Sequence, residues 1–95
     1  MFRWDFAILQ IINDLGGDGC LQEIYARLEE FYELSVDDLR ETVYSGRPAY
    51  QHQVRSFVSK LWRKKGYLVR LERGCYSLTE TGRKRFLDEL ESYGP

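Results

Sequence analysis

The sequence has few of the residues that build metal sites and membrane spans. Its 95 residues include one histidine, two cysteines, two prolines and one methionine. One histidine and two distant cysteines are too few for the three or four protein ligands of a zinc site. No apolar run approaches the ~20 residues that cross a bilayer, and the N-terminus lacks a signal-peptide cleavage pattern. We therefore expect no metal or other cofactor, no membrane partner and a cytoplasmic location.

Charge of one sign is scarce in each half of the chain, although the formal net charge is only −1. Residues 1–42 contain ten acidic and three basic residues, whereas residues 43–85 contain eleven basic and two acidic residues. This separation favours a polyanionic partner for the second half. The alternative is that the acidic residues fold back and pair with the basic ones. Because 43% of the residues are hydrophobic, residues 1–95 are expected to form one domain with a sufficient core.

The first half of the chain has the pattern of helices separated by a short strand. Apolar residues at helical spacing predict a first helix over Arg3–Leu15, which a pair of glycines ends. A one-bridge strand at 19–21 leads into a second helix that ends near Leu34. Ser35 and Asp38 form a capping box, which predicts a short third helix carrying Leu39 and Val43. Residues 44–47 are then a loop.

The second half has the pattern of a basic helix, a β-hairpin and a last helix. The basic helix is predicted from about Pro48 to Lys65, with its apolar residues on one side. Strands over 67–71 and 75–78, joined by a turn at 72–74, follow it. Thr79 is expected to cap the last helix. Helix, short strand, helix, helix, two-stranded wing, helix is the order of an α+β winged helix-turn-helix fold, mostly helical with a small antiparallel β wing.

The outer face of the basic helix is the candidate surface for contact with DNA. Arg can bind guanine through two hydrogen bonds, and Ser, Gln or His can bond to other base edges, so we assign base contacts to His52, Arg55, Ser56 and Ser59. Lysines and arginines beside them would meet phosphates and give salt-dependent affinity. Arg70 and Arg73 of the hairpin would contact the backbone or the minor groove. The full set of predicted DNA-binding residues is Arg47, Gln51, His52, Arg55, Ser56, Ser59, Lys60, Arg63, Lys64, Arg70 and Arg73. An ordinary solvated polar face is the alternative.

Two further features concern packing. Phe2, Phe6 and Leu9 form a second apolar stripe on the first helix, which the stripe of the last helix could cover; that stripe consists of Phe86, Leu87, Leu90 and Tyr93. If it does not suffice, the first and last helices would form a homodimer, which we favour slightly. Cys20 and Cys75 are expected to lie close together as reduced thiols, because the short strand should pair with the second hairpin strand.

The run SGRPAYQHQVRSFVSKLWRKKGYLVRLERGCYSLTETGRKRF, preceded by AILQIINDLGGDGCLQEIYARLEE, resembles the N-terminal winged-helix domain of Mrr-type restriction endonucleases. The Ser45–Pro48 loop is its most specific element. The resemblance implies a module that reads double-stranded DNA and precedes a nuclease domain. That nuclease has an acid-x-Lys or Gln-x-Lys step, and no Asp, Glu or Gln stands two positions before a Lys here. We therefore expect no enzymatic activity from the chain itself.

Several alternatives remain open at this point. The chain could be a protein-interaction winged helix that uses its acidic helices, or a small transcription regulator. It could equally be a detached module or a standalone protein. Because related restriction systems act on methylated DNA, Trp62 and Tyr67 could form a cage for a modified base; a packing role is favoured for Trp62, which adjoins the apolar stripe.

Overall fold

A computed structural model describes residues 3–41 and 46–93, with the backbone alone at Tyr93. Its elements are α1 (Trp4–Asp14), β1 (Asp18–Cys20), α2 (Leu21–Phe31), α3 (Val36–Leu39), α4 (Ala49–Arg63), β2 (Leu68–Glu72), β3 (Cys75–Leu78) and α5 (Glu80–Tyr93). The predicted α+β class and the order of elements are confirmed. The predictions made for Phe2, Val43, Tyr44, Ser45 and the side chain of Tyr93 lie outside the described residues. No helix within the described ranges is long and apolar enough to cross a membrane.

The three strands form one antiparallel sheet in the order β1-β3-β2. Gly19 of β1 lies opposite Tyr76 of β3, and Arg70 of β2 lies opposite the other side of the same Tyr76. The pairing predicted between the short strand and the second hairpin strand is therefore confirmed. Gly74 in the hairpin turn has a φ of +79°, a conformation that glycine adopts without steric cost.

The core lies between α1, α2, α4 and the inner face of the sheet. Ile8, Ile24, Tyr50 and Val54 are fully buried within it. Phe31 shares the apolar face of α2 in the sequence pattern, yet its side chain is 63% exposed. It is the last residue of α2, beyond the part of the helix that the core covers, and the guanidinium of Arg27 lies 5.5 Å from its ring centre.

The last helix, α5, packs on α1 as the apolar stripes predict. The rings of Phe6 and Phe86 stack with centres 5.4 Å apart, and Leu9 is buried. Leu87 and Leu90, however, are 51% and 44% exposed. The predicted covering stripe on α5 is thus right for Phe86 and wrong for these two leucines, which turn away from α1.

The two cysteines form a disulfide, so the expectation of reduced thiols was wrong. Cys20 lies directly opposite Cys75 in the β1–β3 ladder, with 3.9 Å between their Cα atoms. Directly opposed side chains project from the same face of a sheet, and this register brings the two sulfur atoms together. The expected proximity is confirmed, whereas the number of cysteines in a chain says nothing about strand register. The cytoplasmic location stays a prediction, and the disulfide weighs against it because disulfides persist mainly in oxidising compartments.

Candidate nucleic-acid interface

An open cleft of about 460 Å³ separates α4 from the β2–β3 hairpin, and we call it the arginine cleft. Five arginines line it, two on α4, one just before α4 and two on the hairpin: Arg55, Arg63, Arg47, Arg70 and Arg73. The remaining lining residues are Leu21, Val58, Ser59, Trp62, Gly74 and Tyr76. The cleft is therefore a strongly basic channel with an aromatic and aliphatic floor.

Helix and strand periodicity explain why these side chains meet. Arg55, Ser59, Trp62 and Arg63 are spaced by three, four or eight residues, so they lie on one side of α4. Arg70 shares a sheet face with Leu68, because side chains alternate between the faces of a strand. Leu68 is buried against the helices, so Arg70 points towards α4 as well. Bending of the ladder between Arg70 and Glu72 by a register shift then brings the turn residue Arg73 to the same cleft.

The arginines of the cleft are not neutralised by the acidic half of the chain. Arg55, Arg63, Arg70 and Arg73 form no salt bridge with a carboxylate of residues 3–41 or 46–93. The salt bridges found there are Arg3–Asp5, Arg3–Glu89, Arg40–Asp37 and Arg85–Glu89. Fold-back pairing, the alternative explanation of the charge separation, is therefore not what the described part of the molecule shows.

Trp62 lies at the centre of the arginine cleft. The guanidinium carbon of Arg63 is 4.7 Å from the centre of the indole, and that of Arg70 is 5.4 Å from it. The ring of Tyr76 meets the same indole edge-on at 5.8 Å. Both guanidinium distances fall within the range of a cation–π interaction, so one half-buried indole contacts a cation from the helix and a cation from the hairpin.

Tyr25 of α2 lies behind the cleft, next to Arg55. Its hydroxyl is buried and makes no hydrogen bond of good geometry among the described residues. Burial raises the pKa of the Tyr25 phenol, and the positive charges of Arg55 and Arg47 offset part of that rise. The hydroxyl therefore stays protonated at neutral pH, as a donor close to two cationic side chains.

The structure does not bring every predicted DNA-binding residue to the cleft. Those that do not line it are Gln51, His52, Ser56, Lys60 and Lys64. His52, Ser56 and Lys64 are exposed on α4, and the amide of Gln51 donates to the Tyr50 hydroxyl at 3.4 Å. Lys60 lies over the Phe57 ring at 5.1 Å and lines a smaller pocket with Tyr67 on another side of α4. Since Trp62 and Tyr67 belong to different pockets, they do not form one aromatic cage.

Sequence reasoning missed the residues that form the floor of the cleft. Tyr25 and Tyr76 carried no signal beyond their aromatic character, because each reaches the cleft through tertiary packing. Trp62 had a signal that could have been used. It follows Arg55 by seven residues, which places the two on one side of a helix, and it precedes the hairpin that closes the cleft.

The family model described as Mrr N-terminal domain matches residues 4–87 of the chain. The match covers nearly the whole sequence, and the chain belongs to this family, which links it to restriction systems. The resemblance seen in the sequence is thereby confirmed. The family match comprises this N-terminal domain and no nuclease domain. No curated protein and no solved structure is significantly similar to the chain.

Proposed function

We propose that residues 1–95 form a single winged helix-turn-helix domain that binds double-stranded DNA, with α4 in the major groove and the β2–β3 hairpin as a wing on the backbone. The observation that carries the proposal is the convergence of five arginines in one cleft between these two elements. Phosphate neutralisation by arginine and lysine supplies most of the affinity of such modules, and four of the five arginines have no carboxylate partner among the described residues.

The position of the cleft fits this docking mode. A helix in the major groove and a ribbon over the neighbouring groove must have one strand of the duplex between them, because that strand separates the two grooves. The arginine cleft occupies this position. Arg47, Arg70 and Arg73 would then contact its phosphates, while His52 and Ser56 remain exposed on the pole of α4 that faces the bases.

The proposed role is recognition without catalysis. Membership of the Mrr N-terminal domain family places the chain with the DNA-reading part of restriction enzymes, and we assign the cutting step to a separate nuclease domain. A small transcription regulator that uses the same surface is the alternative within DNA-binding proteins.

A gel-shift titration with a duplex over a range of salt concentrations tests the proposal. Replacing Arg55 and Arg63 together by alanine should weaken binding more than about tenfold and reduce the salt slope by about two units, one for each lost phosphate contact. The charge-matched control is Arg40→Ala with Lys84→Ala, since both side chains are exposed outside the cleft. A folded Arg55→Ala/Arg63→Ala variant that binds as tightly as the native chain contradicts the proposed orientation of α4.

A protein-binding module is the second candidate, and one surface favours it. Phe31, Val36 and Leu39 are 63%, 81% and 48% exposed at and beyond the end of α2. Acidic residues surround them in the sequence, so a partner segment with apolar and basic residues would fit. The salt titration separates the two functions: binding through an apolar surface should respond little to salt, whereas DNA binding should weaken steeply.

A further inference from the structure

We propose that Trp62 holds Arg63 and Arg70 as a two-arginine clamp for one backbone phosphate of the bound duplex. The inference rests on the proposed function and names the residue that links the helix to the hairpin. Arg63 belongs to α4 and Arg70 to β2, yet both guanidinium carbons lie within 5.4 Å of the centre of the same indole.

Two like charges gathered at one ring repel each other, so their proximity needs an attractive contact. The π face of the indole supplies it, because tryptophan is the best aromatic partner for a guanidinium. Tyr76, whose ring meets the indole edge-on at 5.8 Å, fixes the orientation of Trp62. The Nε of Arg70 also donates to the backbone oxygen of Glu72 at 3.4 Å, which further limits the freedom of that side chain.

The chemistry of the pair selects a phosphate. Neither Arg63 nor Arg70 has a carboxylate partner among the described residues, so the positive charge at the indole is uncompensated until an anion arrives. Guanidinium groups bind phosphate oxygens through paired hydrogen bonds. Two of them held in place before binding lose less side-chain entropy on association than two free arginines would. Trp62 is thus a positioning residue, and the arginines make the contact.

Duplex affinity measured at one salt concentration tests the clamp through a set of variants. Trp62→Met fills similar space without a π face, and it should weaken binding about five- to tenfold, with Trp62→Phe recovering part of the loss. In an Arg63→Ala/Arg70→Ala background the same Trp62→Met change should have no further effect. Trp4→Phe, on α1, is the control for replacing a tryptophan outside the cleft.

A structural role for Trp62 gives a different pattern. Trp62→Met would then weaken binding by the same factor in both backgrounds, and that result overturns the clamp. If Trp62→Met does not fold, as judged by circular dichroism, the losses from Arg63→Ala and Arg70→Ala decide the question: the clamp requires them to be non-additive, and strictly additive losses overturn it.

The same measurements separate the clamp from the proposed function. Duplex binding that Arg55→Ala/Arg63→Ala weakens and Trp62→Met leaves unchanged overturns the clamp alone. Absence of duplex binding by the native chain overturns the proposed function and the clamp with it. Inorganic phosphate serves as the second probe: the clamp predicts that duplex, with many phosphates in register, binds at far lower concentrations than free phosphate competes.

Discussion

At the scale of single residues, the start of α5 is fixed by Thr79 and Gly82. The Thr79 hydroxyl donates to the backbone oxygen of Gly66 at 2.6 Å and accepts from the backbone N–H of Gly82 at 3.0 Å. Gly82 is buried, and a Cβ atom there would overlap the backbone carbonyl of Tyr67. The Leu-Thr-x-x-Gly run at 78–82 therefore joins α5 to the start of the hairpin, and its residues are structural.

Replacing Gly82 by alanine should consequently destabilise the domain. The backbone of α5 would have to move away from Tyr67, and overpacking of this kind costs about 1–3 kcal/mol. Urea denaturation followed by circular dichroism measures the loss. Thr81→Ala is the matched control, because Thr81 is exposed on the same helix and its replacement should change the free energy of unfolding little. Equal stability of the two variants would contradict the close approach of α5 to Tyr67.

At the scale of elements, periodicity determined the inside and outside of each helix but not its neighbours. Tyr50, Val54, Val58 and Leu61 were assigned to the inner face of α4, and all four are buried. The side of α4 against which the hairpin packs depends on contacts between residues distant in sequence. For that reason the pattern could not separate Arg55, which lines the cleft, from Lys60, which lies on another side.

The disulfide between β1 and β3 gives the prediction at this scale. It joins residues 55 positions apart, and closing a loop of that length stabilises a fold by about 4 kcal/mol in the chain-entropy model. Cys20→Ser/Cys75→Ser should therefore lower the free energy of unfolding by about 2–4 kcal/mol. Dithiothreitol should destabilise the native chain to a similar degree and leave the double serine variant unchanged. If the reductant has no effect on the native chain, the cysteines are not bonded in solution.

At the scale of the whole molecule, the charge separation seen along the sequence becomes a separation in space. Asp37, Glu29 and Glu30 are exposed on the N-terminal helices, while the five arginines face the cleft. Such a dipolar molecule should be oriented by the field of a polyanion before contact, which raises the rate of association. The near-zero net charge hides this property, and the positions of the charges along the chain revealed it.

Self-association is the last prediction, and the structure changes the surface on which it depends. Phe6 and Leu9, the stripe from which the dimer was inferred, are packed against α5, so Phe6→Glu would disrupt the fold itself. Leu87 and Leu90, 51% and 44% exposed on α5, are the apolar residues left for a two-fold contact. We propose a homodimer through α5 and the adjoining part of α1, which would place two α4 helices at half-sites about 34 Å apart.

Light scattering over a range of concentrations tests the dimer. We expect twice the chain mass of 11.3 kDa, and Leu87→Glu should return it to the monomer because a charge in an apolar contact is costly when unpaired. Ser92→Glu is the control, since Ser92 is exposed on the same helix and adds the same charge outside the leucine pair. A mass of 11.3 kDa at every concentration contradicts the dimer. In that case each chain would bind one half-site, and the length of DNA protected from cleavage would not exceed one turn of the duplex.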